Sequence, residues 1–166
     1  MPNPENILRQ TGEETFSALA FMFPVPPEEA LPDQGDLTVA TVTFEGPTRG
    51  WVELSVPTAL LAPVAANMLG EFDETDVSDL QAVDALKELL NVLCGNLLPA
   101  VDSPMAEYHI FTPEIEPAPE EGTVTAQCRI DLDMGTVGLR LAFTQLPAAC
   151  RDTDTADACK ESSQAA

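Results

Sequence analysis

Basic residues are scarce in this chain: 7 Lys and Arg stand against 28 Asp and Glu, for a formal net charge of -21 over 166 residues. Attraction to phosphate backbones or anionic lipid heads needs the opposite sign, so nucleic-acid and membrane-surface functions drop out. Histidine occurs once and there is no Cys-x-x-Cys or Cys/His cluster, which removes the zinc signatures, and no metal site is expected. No apolar run approaches the roughly 18 residues that a membrane span needs, and "MPNPENILRQ" has no basic region leading into an apolar one. A cytoplasmic protein without a signal peptide is the expectation. Gly-x-Ser-x-Gly, the P-loop and Gly-x-Gly-x-x-Gly are equally absent, so the usual sequence arguments for a serine hydrolase, an NTPase or a dinucleotide enzyme have nothing to rest on. Cys94, Cys128, Cys150 and Cys159 read as reduced thiols, with a Cys150–Cys159 disulfide as the alternative.

What is present suffices for one domain with a core, since 45% of the residues are hydrophobic. A helical period from Glu5 ends near Phe23, where "PVPPEEALPDQG" breaks it. "LTVATVTF" and "GWVELSV" read as strands of a hairpin across "EGPTRG". Pro57 suits the first position of a helix ending at Gly70, with Pro63 disturbing its second turn. After the acidic "EFDETDV", Ser78 and Gln81 form a capping-box signal for a long helix from Asp79 to about Leu98, where Pro99 should stop it. "EYHIFTPEI", "TVTAQCRIDLDM" and "TVGLRLAFTQL" read as strands, the last two joined by a turn around Gly135, and "EPAPEEG" as a loop. His109 fits a strand position and Trp51 the core. Residues 1–147 should form the domain, and 148–166 a disordered tail, because Ser, Thr, Asp, Ala and Gln dominate there. The succession points to an α+β fold, helices on a mainly antiparallel sheet, with a loose duplication of an α-β-β-α unit.

The long helix carries an anomaly. "DALKELLNVLCGN" is apolar on one side, yet at about 100° per residue Asp84, Glu88, Asn91 and Gly95 all fall within an arc of about 60°. Ala82, Val83, Leu86, Leu89, Leu90, Leu93, Cys94 and Leu97 fill the other side and should hold the helix on the sheet. The polar stripe must then face solvent or a partner, since unpaired carboxylates are costly in a core. A solvated face is the plain explanation. Gly95 stands out because it forfeits about 1 kcal/mol of helix propensity, and its missing side chain leaves room beside Asn91 for another backbone, although close helix packing would also explain it.

This stretch resembles the D/S-x-x-x-E-x-x-N signature helix of the CheC and CheX-like chemotaxis phosphatases, with Asp84, Glu88 and Asn91 in the signature places. The resemblance extends from "GWVELSVPTALLAPVAANMLGE" through "FTPEI", where Pro113 stands for the family's later proline. In the first helix "EETFS" has Ser17 in place of an Asn after Glu14, so a single-site, CheX-like form fits better than the two-site CheC form. The resemblance implies a layered α/β fold, a homodimer, and a phosphorylated CheY-type response regulator as substrate. It implies Asn91 holding an in-line water and Glu88 pairing with the regulator's lysine, as catalytic residues, with Asp84, Gly95 and Pro113 docking the partner. No cofactor of its own is implied, and any Mg²⁺ belongs to the regulator. The rival reading is a non-catalytic adaptor of the same fold that docks a signalling partner.

Overall fold

Alternation of β-branched and small residues makes Leu37–Glu45 (β1) and Arg49–Pro57 (β2) an antiparallel hairpin, in register from Leu37↔Pro57 to Glu45↔Arg49. In this computed structural model, which describes residues 3–32 and 35–145, a second hairpin joins Thr123–Leu132 (β4) to Gly135–Gln145 (β5) through Asp133 and Met134. β2 pairs antiparallel with β5, so the two hairpins meet in the middle of one sheet. With the short strand His109–Ile110 (β3) on the far edge, the order is β3-β1-β2-β5-β4.

One face of this sheet carries Val42, Phe44, Val52, Leu54, Leu139 and Leu141, all buried. Helices Pro4–Ala20 (α1) and Asp79–Val101 (α3) cover it, and Leu61–Leu69 (α2) packs against both helices. Close approach is built in at Gly12 of α1, where a Cβ would lie 2.6 Å from Ile130 Cδ1 and Leu139 Cδ1. The α+β class is as expected; α1-β1-β2-α2 has the α-β-β-α order, whereas α3 is followed by β3, β4 and β5 with no closing helix among the described residues.

Four boundaries differ from the sequence expectation. α1 ends at Ala20, not near Phe23, because Phe21 takes a left-handed conformation (φ 52) and the chain turns to pair along β4, with Val25 N donating to Asp131 O at 2.9 Å. Pro57 belongs to β2, and a turn of 3₁₀ helix at Thr58–Leu60 precedes α2. Pro63 therefore sits in the first turn of α2, where its missing N–H costs nothing, and the helix runs undisturbed to Gly70, left-handed at φ 74. α3 does not stop at Pro99 but continues to Val101. The proline withholds a donor only from the exposed Gly95 carbonyl, while buried Leu97 and Leu98 and partly buried Val101 hold the last turn on the core.

The predicted "EYHIFTPEI" strand is reduced to His109 and Ile110. Between the pairings Phe44↔Ile110 and Thr41↔Glu114 the chain takes three steps along β1 but four along its partner. The extra residue is a bulge at Thr112–Pro113, where proline has no N–H for the ladder. Trp51 is buried, as expected. The tail expectation for 148–166, with Cys150 and Cys159, lies outside the described residues.

Candidate active site

Two devices set the start of α3. Ser78 Oγ accepts from Gln81 N at 3.2 Å while Gln81 Oε1 accepts from Ser78 N at 2.9 Å, the reciprocal capping box read from the sequence. Val77, just before the cap, packs with Ala82 and Ala85 as a hydrophobic staple. Leu86, Leu89, Leu90, Leu93 and Leu97 are fully buried, so the rotation of the helix about its axis is fixed.

That rotation turns Asp84, Glu88, Asn91 and Gly95 outward, and all four are exposed. Glu88 and Asn91, with Lys87, form one wall of an open depression of about 310 Å³. Residues 110–113 form the other wall, and Pro113 is itself buried. The bulge thus brings the distant proline to the same hollow as the glutamate and the asparagine. Asp84 lies one turn toward the N-terminus and does not line the depression. Gly95 lies one turn beyond Asn91, and among the described residues a Cβ there would meet only Ile110 Cδ1, at 3.9 Å. Close packing among the described residues therefore does not account for this glycine.

Lys87 and the Ile110–Phe111–Thr112 stretch escaped the sequence reading. Lys87 falls just outside the polar arc, and nothing in "IFT" marks it except its adjacency to Pro113. His109 is exposed on β3, its ring 4.5 Å from that of Phe111 and edge-on to it. On α1, Glu14 Oε1 accepts from Gln10 Nε2 at 3.0 Å and Ser17 Oγ donates to Met22 O at 3.4 Å, so both are engaged within their own helix and its end. A larger groove of about 540 Å³ between α1 and α3 lies on the other side of Asn96 and Val92 from the depression, and contains none of the signature residues.

The chemistry open to this hollow is that of a carboxylate, an amide and an ammonium. Burial pushes the thiol of Cys94, on the same helix but within the core, up to about 12, so it offers no thiolate at neutral pH. Among the described residues no group of three or more His, Cys, Asp or Glu is placed to hold a metal ion. Nor, among them, is any helix long and apolar enough to cross a membrane.

The family model for chemotaxis phosphatase CheX matches residues 38–119, a span that contains α3 and Pro113. No curated protein matches the chain. Among solved structures it is similar to the chemotaxis protein CheX from Desulfovibrio desulfuricans, at 16% identity and a TM-score of 0.64, covering 84% of this chain and 98% of that one. A CheC-like superfamily protein from Shewanella sp. PV-4 aligns at 18% identity and a TM-score of 0.61, over 86% of this chain and 99% of its own. The CheX–CheY–BeF3–Mg²⁺ complex from Borrelia burgdorferi contributes a further match at 12% identity and a TM-score of 0.58, over 84% and 97% of the two chains. At these identities the likeness is one of fold. Residues 38–119 thus match the CheX family model, and the fold is the one seen in CheX and CheC-like proteins.

Proposed function

We propose that the protein hydrolyses the phosphoaspartate of a CheY-type response regulator. The observation that carries the reading is the shared hollow: Glu88 and Asn91 are exposed side by side on a rigid helix, with Pro113 brought against them. An acyl phosphate has a good leaving group, so its hydrolysis needs a positioned in-line water more than a strong base. Asn91 has what that requires, since Oδ1 accepts from a water O–H and Nδ2 donates. The water oxygen forms a bond to phosphorus as the bond to the acyl oxygen breaks, the electron pair stays on the regulator's carboxylate, and the water proton leaves with inorganic phosphate. Glu88 contributes a charge-assisted hydrogen bond to the regulator's phosphate-contacting lysine, which fixes how deeply the helix enters. Asp84 and Gly95 flank the pair above and below and meet the partner's surface. Mg²⁺ belongs to the regulator's own acidic site.

The test is phosphate release from phosphorylated regulators of the same organism with the protein at substoichiometric concentration. Acceleration through many turnovers supports the enzyme. Binding that leaves the phosphoryl lifetime unchanged replaces it with the adaptor of the same fold.

A further inference from the structure

Adjacent residues of a strand point to opposite faces, so Glu53, between core residues Val52 and Leu54, faces away from the helices. It is only 7% exposed, and it is the one buried carboxylate among the described residues. What covers it is the segment 111–121, which leaves the depression at Pro113 and crosses the back of the sheet toward β4. Thr41 exchanges both backbone hydrogen bonds with Glu114 at 2.9 Å, and Thr41 Oγ1 donates to Glu116 O at 2.8 Å. Trp51 Nε1 donates to Glu121 O at 2.9 Å. Between these points Glu53 accepts from Arg140 Nε at 2.8 Å and Nη2 at 2.9 Å, and from Ala118 N at 2.8 Å.

The last contact is the informative one. Ala118 stands between Pro117 and Pro119, so its N–H is the only backbone donor of that tripeptide, and Glu53 takes it. An apolar pair could fill the space of a buried ion pair without loss of stability, but it could not accept that N–H. Proline-rich extended chain is semi-rigid, so fixing Ala118, Glu116 and Glu114 fixes Pro113 at the other end. We infer that Glu53, on the face of the sheet opposite α3, is a positioning residue that sets the Phe111–Pro113 wall of the docking hollow. Arg140, which faces Glu53 across the β2–β5 ladder and lies 5.2 Å from the Trp51 ring centroid, holds the carboxylate in place.

This inference rests on the proposed docking of a response regulator, and its test separates the two. Glu53→Gln and the uncharged Thr41→Val are compared with the wild type for affinity to a beryllofluoride- and Mg²⁺-activated CheY-type regulator, for turnover at saturating regulator, and for amide exchange. Glu53→Gln should weaken binding by roughly fivefold to tenfold, the scale of one lost charge-assisted anchor, with saturated turnover within about twofold. Exchange should quicken in 114–121 and stay unchanged in α3, and Thr41→Val should act in the same direction by less. Unchanged affinity in a folded Glu53→Gln protein, or faster exchange spread equally through α3, overturns the positioning role. A wild-type chain that binds no regulator overturns the functional reading and the docking half with it, and local loosening of 114–121 distinguishes that outcome from a failed anchor.

Discussion

Replacing Gly95 with alanine should stabilise the protein while weakening its hold on a response regulator. Gly95 lies inside α3, six residues before the helix ends at Val101, so alanine recovers about 1 kcal/mol of helix propensity. Among the described residues nothing opposes the new methyl group, whose nearest neighbour is Ile110 Cδ1 at an ordinary contact of 3.9 Å. For a domain of this size the gain corresponds to a rise of about 3 °C in Tm, measurable by calorimetry or circular dichroism. The same methyl group occupies the space beside Asn91 into which a partner's backbone would come, so Kd for an activated regulator should rise several-fold. A lower Tm would show that Gly95 is needed for packing within the chain. A higher Tm with unchanged affinity would show that the partner does not approach this turn.

Glu53 links the back of the sheet to acid stability. Burial raises its pKa, but hydrogen bonds from Arg140 and Ala118 N–H and the guanidinium charge outweigh burial and hold the carboxyl below its ordinary 4.5. A group lowered on folding contributes stability that is complete above its unfolded pKa and is lost as pH falls through the folded value. Urea denaturation from pH 7 to pH 3 should therefore show a shallower acid loss for Glu53→Gln than for the wild type, and parallel curves would contradict this. Burial pushes Cys94 to about 12 and, as its first cause, Cys128 to about 11, so peptide mapping should find both unmodified by iodoacetamide in the native protein and modified in urea. Sedimentation should give a homodimer, as the CheX resemblance implies. A monomer at high micromolar concentration removes that expectation without touching the site, because one chain holds the whole hollow.

Local chemistry was the most legible part of the sequence. The capping box at Ser78 and Gln81, the β1–β2 hairpin and the outward stripe of α3 depend on residues within a few positions of one another, and the structure has all three. Prolines were misread where tertiary context decided their effect. Pro63 is harmless because Thr58–Leu60 forms a separate turn, and Pro99 is tolerated because Leu97 and Leu98, in the turn that it weakens, are buried in the core. The second wall of the hollow was beyond reach for a different reason. The bulge that carries Pro113 is defined by its pairing with Thr41, some seventy residues earlier, and the Ala118 N–H that Glu53 accepts lies 65 residues away in the chain. Glu53 occupies a polar position of an alternating strand, and nothing local marks it out. Only the segment folded over it makes it a buried anchor.

Asn91 is the residue on which the proposed hydrolysis depends. It is exposed on a helix whose opposite side is buried, so Asn91→Ala should change stability by no more than about 0.5 kcal/mol, with alanine the better helix former. Glu88→Ala should act partly through docking, and a higher regulator concentration should recover part of its rate. The decisive measurement is single-turnover loss of phosphate from the regulator at saturating Asn91→Ala protein, beside the wild type. A fall on the order of 100-fold in a protein that still folds and still binds the regulator is the predicted result, since nothing else on this helix would place the water. Full turnover in the folded variant would contradict the account and leave the stripe as a docking face.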